Sequence, residues 1–181
     1  NKLLLELDGE PLLRRAVQRA IEAGLDPVIV VVGFEADRVG ETLSGLPYRL
    51  VLNTEYEKGI NSSARLGISQ VPEPNVAAVV MLPDMPFVTT KMIKTLVERY
   101  RDSTAPLVIS RYGDVNAPPM LHDRSLFPEF QGPHSEGCGK HIVRRHRDEA
   151  EVVEWPADAL QDLDVPDDYE RVRAQLAGPV D

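Results

Sequence analysis

Cysteine is almost absent. Cys138 is the only one, so no disulfide can form within the chain, which fits a reducing compartment and makes the cytoplasm the expected location. Long apolar runs are missing as well. The longest, Val28 to Val32 and Val76 to Leu82, fall far short of the ~20 residues that cross a bilayer as a helix, and no membrane span is expected. Basic charge is the scarcer sign, with 20 Lys and Arg against 29 Asp and Glu and a net charge of -9. Such a field repels nucleic-acid phosphates, so no nucleic-acid partner is expected, and any phosphate-handling site must rely on local cations or a metal. There is no internal repeat and no low-complexity linker. The chain opens at Asn1 rather than at a methionine and runs straight into Leu3-Leu4-Leu5, so residues upstream are expected.

What is present is enough for one core. A length of 181 residues with 43% hydrophobic content predicts a single α/β domain over 1–181. Leu12, Leu13, Ala16, Val17, Ala20 and Ile21 recur at helical spacing between Pro11 and Gly24, which suit a helix start and stop. The β-branched run 27–33 follows as a strand covered on both faces. The alternation continues with a helix over 36–43, a strand over 48–52, a helix over 62–70 and a strand over 77–82. A helix over 92–100, capped by Thr89 or Thr90, leads to a strand over 107–110. From 112 to 139 the sequence is rich in Pro, Gly, Asp and His and reads as an irregular excursion with one short helix over 125–130. A helix over 140–147, a strand over 151–155 and a helix over 166–176 complete a three-layer α/β/α pattern with a mostly parallel sheet, a Rossmann-like arrangement.

The sharpest chemical feature is Leu82-Pro83-Asp84-Met85-Pro86, a carboxylate just past a buried strand. Ligands of open parallel sheets bind at that carboxyl edge, although an aspartate there also suits a turn or a cap. Asp162-Leu163-Asp164-Val165-Pro166-Asp167-Asp168 offers a second carboxylate, and Mg²⁺ typically takes one or two plus substrate phosphates. Acidic residues before a helix equally serve its dipole. Asn53 follows another strand, and beyond Gly59 the run Asn61-Ser62-Ser63-Ala64-Arg65 opens a helix with hydroxyls and amides that can hold a phosphate, a ribose or a base, or simply cap the helix. The cluster His134 to His141 around Cys138 matches no standard zinc spacing.

Taken in order, these segments resemble the MobA-like nucleotidyltransferases, and within them the molybdenum-cofactor cytidylyltransferases. Asn1-Lys2-Leu3-Leu4-Leu5 with Gly9-Glu10-Pro11-Leu12-Leu13 is similar to the family's segment after its glycine-rich nucleotide loop, which implies that Lys2 reaches the triphosphate. Asn53 and then Gly59-Ile60-Asn61-Ser62-Ser63-Ala64-Arg65-Leu66-Gly67 resemble the family's asparagine and Gly-Met-x-Ser-Ser-Leu-Arg-x-Gly motif. The resemblance implies nucleotide recognition by Asn53, Gly59, Ser62 and Ser63. Leu82-Pro83-Asp84-Met85-Pro86 resembles Leu-Gly-Asp-Met-Pro, and 162–168 resembles Asp-Ile-Asp-Thr-Pro-Glu-Asp. Asp84 and Asp164 are thereby implied as the Mg²⁺ pair, with Leu82 and Pro83 beside the nucleotide.

By the same resemblance the reaction joins a nucleotide from an NTP, CTP in preference to GTP, to a molybdopterin-type phosphate, and the product passes to a client molybdenum hydroxylase. The chain departs from the family at Pro83, which stands for a glycine, and at Asn116-Ala117-Pro118 and Gly137-Cys138-Gly139-Lys140 in the acceptor region. A different small phosphate acceptor, such as a sugar phosphate, and a non-catalytic delivery or regulatory module on the same fold are the competing expectations.

Overall fold

The computed structural model describes residues 2–132 and 139–161. It opens with a 3-10 turn, Lys2–Leu4, and a hairpin of β1 (Glu6–Leu7) and β2 (Glu10–Pro11). The hairpin turns through Asp8 and Gly9, both at positive φ, the backbone that a tight two-residue hairpin loop requires and that Asp-Gly favours. Arg15 fastens it, donating a 2.7 Å hydrogen bond to the Leu7 carbonyl.

Helix α1 (Leu12–Glu22) buries Leu12, Leu13, Val17 and Ala20, the stripe read from the sequence. Strand β3 (Ile29–Val32), helix α2 (Ala36–Thr42) and strand β4 (Arg49–Leu52) form a parallel crossover in which Ile29 pairs with Arg49 and Val32 with Leu52. Helix α3 (Ile60–Ser69) leads to β5 (Ala77–Val80), and α4 (Thr90–Arg101) leads to β6 (Leu107–Tyr112). Thr89 caps α4 by accepting a hydrogen bond from the Met92 amide at 3.2 Å, as its hydroxyl predicts.

The excursion over 112–139 is where the structure corrects the sequence reading. It contains β7 (Val115–Asn116) and β8 (Met120–Asp123), and β8 is inserted between β5 and β6, antiparallel to both. Two hydroxyls hold its approach: Ser110 donates to the Pro119 carbonyl at 2.6 Å and Tyr112 to the Pro118 carbonyl at 2.9 Å. Helices α5 (Phe127–Phe130) and α6 (Lys140–His146) then lead to β9 (Glu151–Trp155), which pairs in parallel with β6. The helix read over 166–176 lies outside the described residues.

Three layers result. Side chains alternate across a strand, so Leu107 and Ile109 face Ile68, Phe130 and Ile142 of α3, α5 and α6, while Val108 faces Leu96 of α4 on the opposite side. Helices α1 and α2 cover β3 through Leu13, Val17, Val39 and Leu43, and α1 packs beside α4. Among the described residues the β3–β4 pair and the five-stranded sheet share no strand-to-strand pairing. They are joined by side chains. Arg19 of α1, partly buried, donates to the Pro86 carbonyl at 2.7 Å and also to that of Val88, and burial lowers its pKa, with Arg15 adding to the effect. Asn75 donates to the Asp26 carbonyl at 2.8 Å.

His122 of β8 is fully buried, edge-on to Phe130 with ring centroids 5.0 Å apart. Burial pushes its pKa from the usual 6.5 down to about 4. In the unfolded chain the ring takes up a proton as pH falls through about 6.5, whereas the folded ring stays neutral. The unfolded state therefore binds more protons between pH 6.5 and 4, and stability that is complete above this window drains away within it. The shift corresponds to about 3 kcal/mol at its acid end. Urea unfolding at pH 7 and pH 4.5 should show that His122→Leu flattens this part of the dependence. An unchanged slope would assign the acid loss to other groups.

Candidate nucleotide site

A cavity of about 1130 Å³ runs between β3 and β5. Consecutive residues of both strands and their flanks, 27–34 and 77–84, line it. Because neighbouring side chains point to opposite faces, unbroken lining of this kind means that the cavity follows the strand edges and not one face. Among the described residues it is a slot with an unpaired strand edge on either side. The Asn75–Asp26 contact ties the starts of the two strands together, so β3 and β5 run in the same direction and both send their carboxyl ends to the other end of the slot.

At that end lie Lys2, Phe34, Ser63, Leu82, Pro83 and Asp84. Lys2 Nζ and Asp84 Oδ2 form an ion pair at 2.6 Å, bringing the start of the chain onto the end of β5. The other carboxylate oxygen, Asp84 Oδ1, is buried and has no hydrogen-bond partner among the described residues. A buried carboxylate oxygen with no donor on it is costly to leave unmatched, and its chemistry fits a hard divalent cation. Among the described residues no group of three or more His, Cys, Asp or Glu is arranged to hold a metal, so any cation here would take much of its coordination from a ligand. Asp164 lies outside the described residues.

Asn53, Gly59 and Ser62 stand behind this surface. Asn53 follows β4, is 3% exposed, and donates from Nδ2 to Ser62 Oγ at 2.8 Å and to Ser63 Oγ at 3.0 Å, while its Oδ1 accepts from the Glu55 amide at 2.9 Å. Ser62 Oγ in turn donates to the Gly59 carbonyl at 2.7 Å. Gly59 has φ 92° and ψ 179°, a region essentially closed to residues with a Cβ. One buried amide thus sets the entry to α3 and presents Ser63 to the slot. Lys58, hydrogen-bonded to Glu55 on the exposed rim, holds that carboxyl below its usual range.

Two features escaped the sequence reading. Phe34, two residues past the end of β3, lines the slot and is 62% exposed; an aromatic next to a strand-ending glycine was its only signal. Gly33 has a role that no local pattern reveals, because a Cβ there would sit 2.4 Å from the Tyr56 ring.

Replacing Asn53 by alanine removes an amide that satisfies two hydroxyls and one backbone N–H. A loss of about 1–3 kcal/mol is expected, measured as a shift of the urea midpoint. A change within error would show that water replaces the amide and that the α3 entry does not depend on it.

Comparison with known proteins places this geometry in a family. The protein is similar to the purine catabolism protein PucB of Bacillus subtilis (strain 168), 25% identical over 98% of this chain and 90% of that one. The crystal structure of Rv0371c from Mycobacterium tuberculosis H37Rv superposes with a TM-score of 0.83 at 22% identity, covering 96% of this chain and 88% of that one. Its complex with manganese gives 0.77 at 24%, covering 96% and 91%. A nucleotidyl transferase from Methanothermobacter thermautotroptrophicus gives 0.82 at 21%, covering 96% and 84%. The family model of the MobA-like NTP transferase domain matches residues 1–150, and with the α/β/α layers and the strand-end site this chain belongs to the MobA-like NTP transferase domain family.

Proposed function

We propose that the protein transfers a nucleoside monophosphate from an NTP, CTP in preference to GTP, to the phosphate of a molybdopterin-type acceptor. An oxygen of the acceptor phosphate attacks the α-phosphorus, the bond from that phosphorus to the β-phosphate oxygen breaks, and pyrophosphate leaves. The observation that carries this reading is the meeting of Lys2 and Asp84 beside Ser63 at the carboxyl ends of two strands. Transfer of this kind needs positioning and charge neutralisation and no covalent nucleophile.

Lys2 directs its charge at the triphosphate. Asp84 Oδ1 is the open acceptor for Mg²⁺, and the motif resemblance makes Asp164 the second carboxylate. When bound, Mg²⁺ neutralises phosphate charge at the reacting centre; the manganese complex of Rv0371c supports a divalent ion in this fold. Ser63, oriented by Asn53, Gly59 and Ser62, serves nucleotide recognition, and Leu82 and Pro83 form the wall beside it. Pro83 has no N–H to offer there. The preference for CTP, the molybdopterin acceptor and a molybdenum hydroxylase as client rest on the motif resemblance.

The slot has an occupant in this reading. An extended segment leading into Lys2 would pair with the open edges of β3 and β5 at once and end beside Asp84, where a glycine-rich turn would cradle the triphosphate. Two unpaired edges of partly buried strands favour such pairing, because unpaired backbone groups are costly.

Calorimetry with CTP, GTP, ATP and UTP in Mg²⁺ tests the first part and hydrogen exchange the second, both on protein extended upstream of Asn1. CTP is expected to bind most tightly, with at least a tenfold loss in Asp84→Ala. Amides along the facing edges of β3 and β5 are expected to resist hydrogen exchange. Binding by none of the four would replace the transferase with a non-catalytic delivery module. Nucleotide binding with freely exchanging edge amides would remove only the strand.

A further inference from the structure

The chain is acidic overall, yet one cavity of about 410 Å³ gathers Arg111, Lys140, Arg144 and Arg147 with one acid among the described residues, Asp148. Lys140, Arg144 and Arg147 recur along α6 and its C-cap at the spacing of one helix face. Val143 lies on the same face and meets Ile109 and Val152, which are paired across β6 and β9. Arg111 stands two residues beyond Ile109 on β6 and so emerges on the same side of the sheet. Its Nε donates to Asn116 Oδ1 on β7 at 3.2 Å, which orients the guanidinium. Asp148 lies 3.6 Å from Arg147, and both are exposed. Among the described residues the lining therefore has an apolar floor and a cationic rim, with four cations and one carboxylate.

Its position relates it to the nucleotide site. Strand β8 alone separates β5 from β6, and Val79 is level with Leu121, which is level with Val108. Carried forward, that register puts Arg111 level with position 82, two residues short of Asp84. The Arg111 end of the groove therefore shares the sheet's carboxyl edge with Asp84 and lies two strand spacings from it, about 10 Å, while Arg147 lies farther along α6 toward the start of β9.

We propose that this groove anchors the acceptor through an anionic group other than the phosphate that reacts. The acceptor class is a compact molecule with an apolar or ring body and two anionic ends, one held by Arg111 and the α6 cations, the other reaching Asp84. The proposal rests on the transferase reading above. Guanidinium groups suit such a ligand because they grip oxyanions with two parallel donors, and a cavity of this size takes a metabolite and not a protein surface.

The test uses inorganic phosphate as probe, in EDTA and without nucleotide, followed by amide chemical shifts. Saturable shifts are expected at Arg111, Asn116 and along α6, weakened at least tenfold in the double variant Arg111→Gln, Arg144→Gln and several-fold in Arg147→Gln, but unchanged in Asp84→Ala. CTP affinity measured by calorimetry should be the same in the groove variants as in the parent. Phosphate that leaves these amides unmoved, or binds both groove variants as well as the parent, overturns the proposal. Loss of nucleotide binding in the parent overturns the transferase reading instead, and the phosphate shifts report on the groove regardless.

Discussion

A partly buried guanidinium on α1 reaches across to the loop after β5 and holds two of its carbonyls. Arg19 bears on the site more than its surface position suggests, because β3 and β5 do not pair with each other among the described residues. Their separation is set at the starts by the Asn75 contact and toward the carboxyl ends by Arg19, with α1 against α4 and α3 packed on β3. The residues from Pro86 to Val88 begin two positions beyond Asp84, so the same guanidinium that joins the two halves also restrains where that carboxylate stands. Arg19 stays charged there because carbonyl oxygens replace part of its lost hydration.

Legibility in the sequence followed the length scale of each signal. Helices α1 and α4 were readable because their apolar stripes and ends are local, and β3 and β5 because β-branched residues cluster in them. Strand β8 was not, since Met120-Leu121-His122-Asp123 mixes a titratable ring and a carboxylate into a short run after two prolines, and only the surrounding sheet makes His122 a core residue. The β1–β2 hairpin carried the signal Asp8-Gly9 but is too short for an alternating pattern. Asp84, Asn53 and the serines of α3 could be singled out as strand-end and helix-start chemistry. Their mutual arrangement could not, because the Lys2–Asp84 pair and the cationic groove each join residues far apart in sequence.

Charge is segregated accordingly. The acidic surplus gives the whole molecule a repulsive field toward anions, while the cations of α6 and β6 concentrate the opposite sign at one cavity between α6 and the sheet. With a Debye length of about 8 Å at physiological salt, an anion feels the groove only when it is already close. Local charge of this kind selects among molecules at the edge and does not gather them from bulk solution.

The contact between Gly33 and Tyr56 has a consequence for how this fold can change over time. The ring of Tyr56 occupies the volume that any side chain at position 33 would need, and Tyr56 begins the 3-10 turn that delivers the chain to Gly59. Gaining even a methyl group at 33 would push that turn outward and carry the start of α3 with it. The two positions form one unit of inheritance: a descendant can enlarge residue 33 only after residue 56 has shrunk, so the order of the two changes is fixed by packing before selection on activity begins.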